Sequence, residues 1–187
     1  MDVVLRPVTN LVGGLSDDER RQVFDLNRRC FGPPEQRPPH PLTIAPDEDT
    51  GYIVGVWEDG LLVSGLWITE REILVDGQPT QMAGIRGVRT DPAFRRRGYA
   101  AAGMRSAQDF IWRELTPDLA MLHSSEMAVP FYESLGWRAV DGPVYCDQPA
   151  GKLNVTEKLP QNPIMVLLPA GRHDLPCGPI DLCGLPF

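Results

Sequence analysis

One stretch constrains this chain more than any other: Val88-Arg-Thr-Asp-Pro-Ala-Phe-Arg95-Arg96-Arg97-Gly98-Tyr99-Ala100. An apolar strand end runs into a proline and a basic turn. After Gly98 the residues Ala101, Met104, Ala107, Ile111 and Leu115 repeat at helical spacing, which predicts a helix over Tyr99 to Leu115. A helix N-terminus presents unpaired backbone N–H groups and a partial positive charge, so three arginines and a glycine placed there make a site for a pyrophosphate. An isolated Arg-Arg-Arg-Gly reads more readily as a solvated basic turn. This triplet stands against the sign of the whole chain, whose formal net charge is -7.

That negative balance argues against nucleic acid or an anionic membrane surface as a partner and leaves room for a cationic small molecule. The 187 residues, 42% of them hydrophobic, suffice for one core and are short for two, so one domain over residues 1–187 is expected. The start, Met1-Asp-Val-Val-Leu-Arg-Pro-Val8, lacks a basic region followed by a long apolar one, and no segment reaches about 18 apolar residues. A cytoplasmic location is expected. Cys30, Cys146, Cys177 and Cys183 form no C-x-x-C pair and have no paired histidine spacing, so neither a metal site nor a disulfide framework is indicated.

Ser16-Asp-Asp-Glu19 is a capping box, followed by Val23, Leu26 and Cys30 on one helical face, with an end near Gly32. Residues 32–50, rich in proline and acids, read as a long loop with at most one short helical turn. Tyr52 to Trp57 and Leu61 to Trp67 read as strands joined by an Asp-Gly turn, with a third strand at Arg71 to Val75 closed by Asp76-Gly77. A strand over Met82 to Thr90, a short buried strand at Leu119 to His123, a helix over Glu126 to Leu135 ending at Gly136, and strands at Trp137 to Cys146 and Ile164 to Leu168 complete the reading. The order gives an α/β fold with a sheet of mixed direction.

The Arg-x-x-Gly-x-Ala turn after a strand and a proline resembles the acetyl-coenzyme A loop of the GNAT N-acetyltransferases. A second segment, Leu122-His-Ser-Ser-Glu-Met-Ala-Val-Pro-Phe131-Tyr132-Glu-Ser-Leu-Gly136-Trp137, resembles their closing F-Y-x-x-L-G-[FW] helix. The resemblance implies a central, mostly antiparallel mixed sheet splayed between its fourth and fifth strands, flanked by helices. It implies acetyl-coenzyme A as cosubstrate and no metal. The cofactor would lie on Val88, Arg89, Thr90, Arg95, Arg96, Arg97, Gly98, Tyr99, Ala100 and Ser125. Within it, the Val88 to Thr90 backbone would hold the pantetheine and polarise the thioester carbonyl. Tyr132 would be the general acid that protonates the leaving thiolate. Phe131 reads as packing.

The last third is similar to the aminoglycoside 2'-N-acetyltransferases, through His-Ser-Ser, Leu-Gly-Trp, Asp141-Gly-Pro-Val144, Pro149-Ala-Gly151 and Met165-Val-Leu-Leu-Pro169. Pro176-Cys-Gly-Pro-Ile-Asp181-Leu-Cys-Gly184 also resembles the tail of the rhizobial nodulation acyltransferase. Both point to an amino-sugar acceptor, with Ser124, Asp181 and the aromatic Phe187 on its side, and family members are often dimers. Arg86 occupies the strand position where the aminoglycoside enzymes carry a glutamate, and an arginine is no base at neutral pH. A guanidinium can instead clamp a carboxylate, which kasugamycin carries beside its 2'-amine, or it can simply point into solvent. His123, Glu126, a water chain, or the loop acids Asp47, Glu48 and Asp49 remain open as the base, the loop acids also as ligands of the substrate amine. His40 and His173 lie in no motif. The alternatives in function are N-acetylation of a protein N-terminus, lysine or metabolic amine, and a non-catalytic acetyl-coenzyme A sensor or interaction module.

Overall fold

The computed structural model describes residues 1–8, 12–37, 39, 41–43 and 51–186. They group into two compact units, one drawn from residues 1–40, 46–69 and 86–110, the other from 41–45, 70–85 and 111–187. In the first unit β1 (Asp2–Val8) pairs antiparallel with β2 (Gly51–Glu58), and β2 pairs antiparallel with the opening of β3 (Leu61–Val75). The turn between β2 and β3 places Asp59 at φ 49 and Gly60 at φ 78, the left-handed pair that matches strand twist in a two-residue hairpin.

Helix α1 (Asp17–Phe31) starts on the expected capping box: Glu19 N donates to Ser16 Oγ at 3.2 Å and Ser16 N to the Glu19 carboxylate at 2.9 Å. It buries Val23 and Leu26 with Val8, Ile53, Leu62 and Trp67, and full burial of each such aliphatic chain contributes about 1.5–3 kcal/mol. Helix α2 (Tyr99–Phe110) packs against β2. A Cβ on Gly103 would come within 3.2 Å of Val56, so the glycine sets how closely the helix approaches.

The second unit carries a mixed sheet in the order β6 (Arg138–Ala139), β9 (Ile164–Leu167), β5 (Leu119–His123), the first part of β4 (Gln78–Thr90), the last part of β3, β10 (Ile180–Asp181), β7 (Val144–Gln148), β8 (Gly151–Asn154). The β4–β5 and β10–β7 pairs are parallel, whereas β5–β9, β6–β9, β7–β8 and β10–β3 are antiparallel. Its core includes Ile73, Met82, Leu119, Met121, Val144 and Val166. The β4–β5 ladder stops at Ile85 and Leu122 although β4 continues to Thr90, so β4 leaves β5 where the chain turns toward Gly87. The α/β class and mixed sheet are those expected.

Several boundaries differ, each for a local reason. The strands expected at Leu61 to Trp67 and Arg71 to Val75 are one strand, because Ile68-Thr69-Glu70 contains no turn residue and its β-branched pair extends readily. β4 begins at Gln78, directly after the Asp76-Gly77 turn. The helix expected to Leu115 is α-helical to Phe110 and closes with a π-helical turn over Ile111–Leu115, in which Thr116 N donates to Ile111 O at 2.9 Å. The Glu126 to Leu135 helix is a 3₁₀ turn (Glu126–Ala128) followed by α3 (Val129–Glu133), since Pro130 has no N–H to continue a ladder from the turn before it. Asp141-Gly-Pro143 splits the expected Trp137 to Cys146 strand into β6 and β7. The connection beyond it contains β8 and α4 (Val155–Lys158), capped by Asn154, whose Oδ1 accepts from Glu157 N at 3.3 Å.

Candidate active site

In the first unit Asp91 organises the end of β4. Its Oδ1 accepts from Ala93 N at 2.9 Å and caps the 3₁₀ turn Pro92–Phe94. Its Oδ2 accepts from Arg29 Nε at 2.5 Å, and Arg29 Nη2 donates to Leu62 O at 2.9 Å, so the last turn of α1 is tied to two strands. Beyond that anchor Arg95 Nε donates to Thr90 O at 3.2 Å and the Arg97 guanidinium lies 5.2 Å above the Phe94 ring. Arg96 has φ 61 and Gly98 φ 85, two left-handed residues that fold the backbone back on itself. Residues 95–98 are exposed, Ala100 is half-buried and Tyr99 is buried against Val56 and Val63.

No atom lies within 4 Å of the point a Gly98 Cβ would occupy. Ala102 N donates to Gly98 O at 2.9 Å, and the amides ahead of it have no intrahelical acceptor. The turn is an open cationic cradle with free amides, which fits a phosphate group.

β4 just before it is held by its neighbour. Ser64 Oγ donates to Arg89 O at 2.8 Å and shares a 2.8 Å bond with Thr90 Oγ1, while Asp91 N donates to Val63 O at 2.9 Å. Gly87 sits at φ 61, and a Cβ there would be 2.6 Å from the Trp67 ring, so the position accepts only glycine. Arg86 and Val88 are half-buried. Arg89 is buried: its guanidinium stacks 3.8 Å from the centre of the Trp67 ring and Nη1 donates to Gly87 O at 2.7 Å. Burial pushes its pKa down to about 9, and it remains a cation at neutral pH.

The second unit holds the other candidates. His123 ends β5 opposite Ile164 and is half-buried. Ser124 is buried, with its N donating to Pro163 O at 3.0 Å and its Oγ to Ser125 O at 2.8 Å. Ser125 is exposed at the start of the 3₁₀ turn, as is Glu126. Tyr132 is buried, edge-on to Phe131 at 5.1 Å and to Trp137 at 6.4 Å. Burial pushes its phenol up to about 12, and its hydroxyl makes no hydrogen bond among the described residues. A phenol so placed stays protonated at every physiological pH and has a free donor. Asp181 accepts from Lys152 Nζ at 2.6 Å and from Cys183 N at 2.9 Å. Asp47, Glu48, Asp49, His40 and Phe187 lie outside the described residues.

The structure thus gathers Val88 to Thr90 with Arg95 to Ala100 in the first unit and assigns His123, Ser124, Ser125, Tyr132 and Asp181 to the second. Sequence reasoning missed the Arg29–Asp91–Leu62 anchor, whose signal was the Asp91-Pro92 pair that starts a capped turn, and the buried guanidinium of Arg89. Among the described residues no group of His, Cys, Asp or Glu could hold a metal, the four cysteines are free, and no helix is long and apolar enough to cross a membrane.

Comparison with solved structures supports the same fold. The chain aligns with Escherichia coli ElaA at 13% identity, TM-score 0.60, covering 88% of this chain and 99% of that one. An acyl-CoA N-acyltransferase from Pseudomonas aeruginosa aligns at 15% identity, TM-score 0.59, with 88% and 99% coverage. The GNAT family N-acetyltransferase YhbS of Escherichia coli, solved in complex with CoA, aligns at 13% identity, TM-score 0.56, with 98% and 94% coverage. At these identities the likeness establishes the fold alone. A comparison with curated proteins found no match. The family model described as an acetyltransferase (GNAT) domain matches residues 12–140, well over half of the chain, and with the fold and the open cationic turn it places the protein in the GNAT acetyltransferase family.

Proposed function

We propose that residues 1–187 act as one acetyltransferase domain that modifies an aminoglycoside at its 2'-amine, with kasugamycin favoured over the deoxystreptamine drugs. GNAT domains use acetyl-coenzyme A, which supplies the acetyl thioester. The residues present fit it: the open space at Gly98 and the unpaired amides of α2 receive a pyrophosphate, and Arg95, Arg96 and Arg97 neutralise it. The Val88 to Thr90 edge, fixed by Ser64, offers an extended backbone to the pantetheine arm. Tyr132 Oη holds the proton that a departing thiolate needs, and Ser125 lies exposed for the cofactor. His123 is the proposed base for the acceptor ammonium, with Ser124, Asp181, Asp47, Glu48, Asp49 and Phe187 proposed on the acceptor side.

The observation that carries the acceptor is the sign of charge on β4. Arg86 stands where the aminoglycoside enzymes have an acid, which removes an ion-pair partner for a polycationic drug and offers one for a carboxylate. The test is mass spectrometry of a mixed acceptor panel after incubation with acetyl-coenzyme A, containing kasugamycin, gentamicin, a lysine peptide and simple amines. A single acetyl group on kasugamycin is the expected result. Acetylation of the peptide or simple amines with kasugamycin untouched overturns the acceptor assignment, and coenzyme A binding without any turnover overturns the catalytic one.

A further inference from the structure

Arg89 presents a charge that the chain does not answer. It is 3% exposed. Nη1 is occupied by Gly87 O and one face of the guanidinium by Trp67, while Nε and Nη2 are buried without a hydrogen-bond partner. Those two N–H groups form the side-on fork of a guanidinium, the edge that takes a carboxylate through two parallel hydrogen bonds. The Cys30 thiol is the titratable neighbour on α1; burial raises its pKa, so it is neutral and brings no counter-charge. Asp91, two residues on and just past the strand, is already engaged by Arg29 and Ala93 N.

An isolated buried cation costs folding free energy, and truly unsatisfied buried groups are few in native folds. The backbone comes close to the guanidinium through two glycines. Gly65 and Gly87 flank the guanidinium, with Cβ positions 3.8 Å from Nη2 and 3.6 Å from Nη1. The end of α1 beside it is open: Cys30 is half-buried, Phe31 exposed, and Gly32, at φ 71, has no atom within 4 Å of its Cβ position.

We propose that the Arg89 fork is a binding subsite for a carboxylate on the acceptor, so that the substrate of this enzyme carries both an amine and a carboxylate. The inference deepens the acceptor reading above by seating the carboxylate on Arg89, with Arg86 a second cation on the same strand, and its kasugamycin arm rests on that reading. Nε and Nη2 are covered in this structure, so the carboxylate enters where the end of α1 gives way, keeps the contacts Arg89 already makes, and neutralises the charge that the fold leaves bare.

The test compares the parent with Arg89→Met, which keeps apolar bulk on Trp67 and removes the fork, and Arg89→Lys, which keeps the charge and loses the bidentate edge. With kasugamycin, KM rises about 10- to 100-fold in Arg89→Met, the range for losing a charge-assisted pair. With kasugamycin whose carboxylate is capped as an amide, the parent already shows the raised KM and Arg89→Met adds nothing. The melting temperature of Arg89→Met stays at or above the parent value, because an unpaired buried charge is gone. An equal KM change for acid and amide, no change for either, or a fall in melting temperature with KM intact overturns the proposal. If the parent does not acetylate kasugamycin, the aminoglycoside reading falls and the fork is decided separately by formate. At constant ionic strength formate raises the melting temperature of the parent but not of Arg89→Met, and an equal response from both overturns the subsite.

Discussion

Lys152 and Arg89 are both strand cations, and their surroundings are opposite. Lys152, on β8 in the second unit, reaches Asp147 at 2.8 Å and Asp181 at 2.6 Å, and these two carboxylates raise its pKa. Burial works to raise Asp181, but the bonds from Lys152 and the Cys183 amide prevail and hold it below its ordinary value. That cluster satisfies itself and links β8 to β10 and β7. Arg89, in the first unit, is buried with two N–H groups unanswered and its pKa pushed down. Polar groups that find partners within the chain hold the fold together, whereas Arg89 keeps two buried N–H groups in reserve. Tyr132 is likewise buried with a free hydroxyl, which the proposed function gives to the departing thiolate.

The largest effect expected from this division is at Tyr132. Tyr132→Phe keeps the ring packing and should lower the acetylation rate by roughly 10–10³ with coenzyme A affinity unchanged. Because the phenol titrates near about 12, the parent should show no loss of rate from its ionisation up to pH ~10. A variant that turns over at the parental rate would move Tyr132 to the self-satisfied side. Arg86 sharpens the comparison next. Arg86→Ala should cost about 1.5–3 kcal/mol in transition-state binding of kasugamycin, and Arg86→Glu more, with a gain toward gentamicin. A ratio of kcat/KM for the two drugs that stays fixed across the three residues means that Arg86 faces away from the acceptor.

The smallest effect is expected where charges pair at the surface. Lys152→Met should change stability by about 0–1 kcal/mol in thermal unfolding, since the ammonium is half exposed and solvent screens the pairs. Asp181 has a folded pKa below its unfolded value, so its contribution is present above the unfolded value of 3.8 and fades as pH falls through the folded one. The difference in stability between the parent and Lys152→Met should therefore shrink below pH ~4. A large, pH-independent loss would show that the cluster acts through packing instead of charge.

The parts of this molecule that were legible in advance are those governed by local rules. The Ser16–Glu19 capping box, the two Asp-Gly turns and the apolar run Leu119 to His123 dictate their own geometry. The basic turn was legible for the same reason, since a glycine and arginines at a helix start act through the nearest backbone. What escaped depends on long-range placement. No period in the sequence says that Arg89 stacks on Trp67, 22 positions earlier, or that Arg29 crosses from α1 to Asp91. The strand β10 has two residues and takes its pairing from β3 and β7, so it has no periodicity to read. Arg86 and Arg89 looked alike in the chain. The left-handed Gly87 between them, where the Trp67 ring leaves no room for a Cβ, breaks the simple alternation by which strand residues are assigned to faces.

The proposed pyrophosphate site at the exposed turn from Arg95 to Ala100 is decided by calorimetric titration of coenzyme A into the parent and Gly98→Asp. Gly98 is at φ 85 with open space beside it, so an aspartate there adds both strain and negative charge where the phosphate must sit. Circular dichroism of the variant serves as the control for folding. The parent should bind coenzyme A saturably and pantetheine, which lacks the pyrophosphate, far more weakly, and folded Gly98→Asp should have almost no affinity for coenzyme A. Coenzyme A affinity unchanged by that substitution would contradict the pyrophosphate site.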